Sequence, residues 1–155
     1  MAAKRGYRLP ADSVGAIMPS TKSGRPPAWE VHLSTEARDW LISCTTDQAA
    51  LARVMSSFSF IFQKLEIAGP RVGEPDIKKL IATHGIWEAR VKDPTGAYRM
   101  FLRFGRIGHR RIAAIAHGRK KSGQRLPRSA IDLAQRKVDA FLVELGANGF
   151  IDKDQ

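Results

Sequence analysis

From Ala28 to Leu33 apolar and polar residues alternate, with Trp29, Val31 and Leu33 set against Glu30 and His32. A period of two predicts a strand. Ser34 then offers an N-cap for a short helix, STEARDWLIS, with Ala37, Trp40 and Leu41 on one face. Thr45 followed three residues later by Gln48 is a capping-box pattern. Beyond it, Leu51, Val54, Met55, Phe58, Phe62 and Leu65 recur at helical spacing, which predicts a helix of about twenty residues. Gly69-Pro70 ends it. The two helices form an αα-hairpin with an apolar face to cover.

The second half changes period. Residues 86–91 (IWEARV) and 97–103 (AYRMFLR) flank KDPTG, whose Asp93-Pro94 and Gly96 carry turn chemistry, so a β-hairpin is expected. FGRIGH, with Gly105 and Gly108, predicts a second turn, and residues 111–117 (RIAAIAH) a mostly buried third strand. An antiparallel meander follows, to which the N-terminal strand adds. Ser129, with Asp132 three positions on, caps a last helix whose apolar face is Ile131, Ala134, Val138, Phe141, Leu142 and Leu145, and Gly146 ends it. The order β-α-α-β-β-β-α reads as an α+β fold. Prolines and glycines without apolar period make residues 1–27 a flexible basic N-terminal arm, residues 28–146 one domain and residues 147–155 a C-terminal tail.

Charge sharpens the picture. The chain has 155 residues and a formal net charge of +11. Residues 85–128 alone carry twelve basic and two acidic side chains, whereas residues 28–84 are nearly balanced at six and seven. Such a surplus within a folded segment opposes folding and calls for a polyanionic partner, of which nucleic acid is the usual one. The basic residues lie among β-type alternation and not on an amphipathic helix, and no apolar run spans a bilayer, so no membrane role is expected. Cys44, the single cysteine, excludes an internal disulfide and fits the cytoplasm. His32, His84 and His109 lack ligand spacing, so neither metal nor cofactor is expected.

In a strand, residues two apart share a face. Arg99, Phe101 and Arg103 therefore oppose Tyr98, Met100, Leu102 and Phe104, which form the core face. Arg99 and Arg103 are expected on an open face, joined by Arg119, Lys120 and Lys121 at the end of the third strand, with His117 at the edge. Arg90, Arg110, Arg111, Arg125 and Arg128 complete the basic set of this expected platform. Glu88 and Arg90 share a face, as an ion pair or as a functional pair. Arginine forks suit phosphate oxygens. RNA cleavage through its own 2′-OH needs charge stabilisation, which Arg99, Lys120 and Lys121 could supply, and proton exchange, which His117 could supply, with Glu88 a further catalytic candidate.

The motifs W-E-x-R-V (87–91), Y-R (98–99), H-G-x-K-K (117–121) and P-x-x-x-I-x-x-A (127–134) stand in an order that resembles the RelE/ParE superfamily of toxins from type II toxin–antitoxin systems, in its HigB-like, phage-derived branch, over roughly residues 28–145. The resemblance implies a RelE-like, microbial RNase-type antiparallel sheet with two N-terminal helices on one face and the active surface on the other. It implies metal-independent mRNA cleavage on the ribosome, blocking translation, restrained by a cognate antitoxin of helix-turn-helix type. By position, Arg99 corresponds to a phosphate-contacting arginine, and Arg119, Lys120 and Lys121 to transition-state stabilisers. Ile86 and Glu88 stand where some relatives carry catalytic lysines, Arg119 replaces the usual Phe after His-Gly, and a C-terminal tyrosine used by some relatives has no counterpart. Two other functions fit the same residues: a non-enzymatic ParE-like inhibitor of DNA gyrase, and a prophage nucleic-acid-binding accessory protein.

Overall fold

A computed structural model describes residues 26–81, 83–121 and 125–151; residues 1–25 of the expected arm lie outside the described residues. Strand β1 (Glu30–Leu33) leads into helix α1 (Thr35–Ile42), where Ser34 caps as expected, its Oγ accepting from the Ala37 amide at 3.0 Å. Helix α2 (Gln48–Ala68) is capped by Asp47, not by Thr45. The Asp47 carboxylate accepts from the Ala50 amide at 3.0 Å, while Thr45 Oγ1 accepts from the Asp47 amide at 3.3 Å. A full negative charge suits the positive end of a 21-residue helix better than a hydroxyl does. Gly69 ends α2 with φ +56, under the Trp29 indole, where a Cβ would lie 2.3 Å from the ring.

Five further elements follow a 3-10 turn at Gly69–Val72: β2 (Ile77–Lys79), β3 (Trp87–Asp93), β4 (Gly96–Ile107), β5 (Arg110–Lys121) and α3 (Arg128–Glu144). The described chain then closes with β6 (Gly149–Ile151), inside the expected tail. β2 and β6, at three residues each, are too short to show a period. Gly105 is not in a turn. It lies within β4, where a Cβ would meet the Gly149 carbonyl at 3.0 Å and Leu142 at 3.1 Å, so it is small for packing. Pro127, and not Ser129, holds the N-cap position of α3, with no side-chain cap.

The strands form one mixed, open sheet in the order β1-β5-β4-β3-β2, with β6 pairing β4 beyond the end of β3. The β3-β4-β5 meander is antiparallel as expected, but β1 joins β5 in parallel. One sheet face packs Val31, Trp87, Tyr98, Met100, Leu102, Phe104 and Ile115 against the α1–α2 pair. The other packs Phe101, Ile112, Ala114 and Ala116 under Ala134, Val138, Phe141 and Leu142 of α3. The protein is thus α+β with helices on both faces of the sheet. No described helix is long and apolar enough to cross a membrane.

The β3–β4 turn is tied to α2. Arg53 donates to both oxygens of Asp93 at 2.7 and 3.1 Å, and the Thr95 amide and hydroxyl donate to the same carboxylate at 3.0 and 2.7 Å. The guanidinium, then the Thr95 donors, hold the Asp93 carboxyl well below the usual aspartate range. A depressed folded-state pKa stabilises the fold above the unfolded value, near 3.9, and that contribution disappears as pH falls through the folded value. Asp93→Ala should therefore lower the melting temperature at pH 7, and the gap to the parent should narrow in melts run below about pH 4.

Candidate nucleic-acid interface

The cationic surface depends on one irregularity. Along β5 the partners of β4 run from Arg103–Ala114 to Leu102–Ile115, then jump to Phe101–His117, leaving Ala116 as a bulge. Ile112, Ala114 and Ala116 face α3. Without the bulge, alternation would send His117, Arg119 and Lys121 to the α1–α2 face. The extra residue reverses the phase. Arg119 now stands directly opposite Arg99, which in turn stands opposite Arg90 on β3.

Three arginines from three adjacent strands therefore form a row across the sheet, all half-buried. Lys121, two residues beyond Arg119, and Lys92, two beyond Arg90, extend the row on the same face, as does Lys78 opposite Glu88. Beneath the row lies Glu88, with 4% of its side chain exposed, in an ion pair with the diagonal neighbour Arg99. Glu88 thus pairs with Arg99, and Arg90 pairs with Glu74 at 3.4 Å, in place of the expected Glu88–Arg90 pair. Arg99 Nε is buried with no hydrogen-bond partner among the described residues. The Lys121 ammonium is held below the usual lysine range, first by burial and then by the charges of Arg99, Arg90 and Lys92, against which Glu88 acts. The cations are close enough to disfavour one another, and an anion on this face would relieve them.

The rest of the basic set divides. Lys120 points to the opposite face, its Nζ 5.4 Å from the Tyr98 ring, because the bulge that turns Arg119 and Lys121 one way turns their neighbour the other. Arg103 shares a face with Arg99 but is not open: α3 covers it, and it donates to Asp139 at 2.6 Å with 6% of its side chain exposed. Arg110 and Arg111 stand at the far end of β5. Nine residues separate Arg110 from Arg119, roughly 30 Å of strand. Arg110 is spent on Glu30 at 2.7 Å, and Arg111 lies 5.6 Å from the Trp29 ring. Convergence of all ten basic groups is therefore corrected to a smaller cluster.

Arg125 and Arg128 are exposed at the entry to α3. Leu142 packs on Gly105 and Asp139 on Arg103, so α3 runs parallel to β4 with its first turn toward the Arg99 end. Eleven helical residues from Arg128 to Asp139 span about 16 Å, and four strand residues from Arg99 to Arg103 about 13 Å, so the helix begins about level with the arginine row. Arg128 also pairs with Asp132 at 3.1 Å.

His117 is on the row's face, stacked on Phe101 with centroids 5.9 Å apart. Its Nδ1 lies 2.9 Å from Glu36 Oε2, and Lys137 holds the other oxygen of that carboxylate. No spacing pattern could reveal partners 81 and 101 residues apart in the chain. Lys92 was legible, at the period-two position after Arg90, whereas Lys78 sits on a strand too short to read. A groove of about 430 Å³ between α2 and β3, lined by Phe60, Ile61, Lys64, Pro75, Asp76 and Val91, adjoins the row at Arg90 and Lys92, which also line it. From Arg90 at the rim of that groove the row runs out across the sheet through Arg99 to Arg119, a span that suits an extended backbone better than a small molecule. Among the described residues no three His, Cys, Asp or Glu side chains converge as for a metal.

No curated protein and no solved structure matches the chain. The pattern described as "Phage derived protein Gp49-like (DUF891)" does match, over residues 48–139, a span that runs from α2 through most of α3 and includes the whole arginine row. With well over half its length so matched, the chain belongs to the phage-derived Gp49-like family.

Proposed function

We propose that this protein is the toxin of a type II toxin–antitoxin system, of the RelE/ParE kind, and that it cleaves mRNA on the ribosome in the cytoplasm. The observation that carries the reading is the cross-strand row Arg90–Arg99–Arg119 with Lys121 beside it and His117 at its edge. Guanidinium forks grip phosphate oxygens, and a row spaced by the inter-strand distance of ~4.8 Å can follow a ribose-phosphate chain. The phage-derived family supports a toxin of this class, and the β3-β4-β5 meander under a helix pair is compatible with a RelE-like sheet.

In the proposed reaction a base removes the 2′-OH proton and O2′ attacks phosphorus. The P–O5′ bond breaks, O5′ takes a proton, and the products are a 2′,3′-cyclic phosphate and a 5′-hydroxyl. Arg99 and Arg119 stabilise the charge on the phosphorane oxygens. His117 Nε2 takes the 2′-OH proton and returns it to O5′. A helix-turn-helix antitoxin with an acidic segment would restrain the enzyme by covering the same cations.

The test is 5′-end mapping of transcripts after induction, beside RNA binding by the purified protein. Arg119 has no ion pair among the described residues, so Arg119→Ala removes a cation without exposing a buried partner. It should reduce new 5′ ends and flatten the slope of log affinity against log salt by about 1. Arg110→Ala, roughly 30 Å away along β5, should leave cleavage unchanged. Intact transcripts with inhibited supercoiling would instead mark a gyrase inhibitor, and salt-sensitive binding without cleavage or toxicity an accessory nucleic-acid binder.

A further inference from the structure

We infer that Glu36 is a positioning residue for His117: it selects the proton-bearing nitrogen of the imidazole and leaves Nε2 as the nitrogen presented to RNA. The inference rests on the cleavage reading above and deepens it. A carboxylate only accepts, so the 2.9 Å contact between Glu36 Oε2 and His117 Nδ1 places the proton on Nδ1. In the neutral ring Nε2 then carries the lone pair, the state a base needs. Of the two ring nitrogens, only Nδ1 hydrogen-bonds a described residue.

The arrangement is built from several directions. Phe101 stacks on the ring at an interplanar angle of 27° and limits its rotation. Lys137 from α3 holds Glu36 Oε1, leaving Oε2 for the imidazole. Burial works to raise the Glu36 carboxyl, but the hydrogen bonds from Lys137 and His117 outweigh it and keep the group below the usual glutamate value. The first turn of α1, which carries Glu36, is fastened to the bulge itself. Ser34 donates its amide to the Ile115 carbonyl at 2.9 Å and its hydroxyl to the Ala116 carbonyl at 3.3 Å, while the same hydroxyl caps α1. The bulge therefore does two things at once: it turns His117 onto the arginine face, and it anchors the helix that orients it.

The test has a spectroscopic arm and a kinetic arm, both on the full chain. Nitrogen-15 spectra at a pH where His117 is neutral should show the Nδ1-protonated tautomer in the parent, and its replacement by a tautomer mixture in Glu36→Ala. RNA cleavage by Glu36→Ala should fall roughly 10–100-fold with RNA affinity unchanged. In a His117→Ala background the same substitution should cost less than about twofold, because the group it orients is gone. Lys137→Met should give a smaller loss of the same kind. An Nε2-protonated His117 in the parent, or an equal loss from Glu36→Ala with and without His117, would overturn the assignment. If the parent cleaves no RNA at all, the cleavage reading falls, and the nitrogen spectrum alone decides whether Glu36 sets the tautomer.

Discussion

Removing the Arg99 guanidinium should lower RNA cleavage by about 10²–10³-fold, the usual cost of losing one preorganised donor to a developing negative charge. The variant must be chosen with Glu88 in view. Glu88 is buried and paired with Arg99, so Arg99→Ala alone strands a carboxylate, which typically costs ~3–5 kcal/mol. Combining Arg99→Ala with Glu88→Gln removes that charge, and the pair should melt close to the parent while cleavage and growth arrest are lost. Arg99→Lys keeps the charge but not the fork, and should recover only part of the activity. Induced expression with 5′-end mapping, beside a thermal melt of each variant, separates the outcomes. A folded double variant that arrests growth as strongly as the parent would remove Arg99 from the site.

Gly118→Ala should be the most damaging single methyl in the sheet. Gly118 faces the α1–α2 side, where a Cβ would lie 2.1 Å from Trp40 Cε3 and 2.2 Å from Cδ2. The indole cannot simply retreat, since it packs edge-on against Phe58 with centroids 6.4 Å apart. Helix α1 must lift, at a cost of ~2–3 kcal/mol and a fall in Tm on the order of 10 °C. Because α1 carries Glu36, the surviving folded protein should also lose the Nδ1-protonated form of His117. Denaturant titration checks the first expectation. Trp40→Leu in the same chain should restore part of the stability, since the two residues share one space. The glycine of the H-G-x-K-K motif is thus explained by packing against Trp40, before any appeal to chemistry.

Local pattern was a good guide wherever the cause was local. The period-two run at β1, the Ser34 cap, the long apolar stripe of α2, the Asp93–Gly96 turn and the amphipathic face of α3 are all set by neighbouring residues, and each stands in the structure. The face bearing Arg99 was equally legible, because β4 alternates without interruption. Three-residue strands were not, nor was the choice between Thr45 and Asp47 as cap, which turns on charge against the dipole of a helix already formed.

The amino-acid order alone carried the concentration of cations between residues 85 and 128, the order of the main elements and the polarity of each regular strand, because propensity, turn chemistry and alternation act over a few residues. It could not say which cations meet. One unpaired alanine at position 116 shifts the phase of all that follows it in β5, and its place is set by pairing with β4 and by the Ser34 hydroxyl some eighty residues earlier. A slip of one residue moves a side chain through the sheet to the other face, so Arg119 and Lys121 join Arg99 while Lys120 goes to Tyr98. Arg103 was likewise withdrawn from the surface by α3, and His117 acquired Glu36 and Lys137, through contacts that exist only when distant segments pack together.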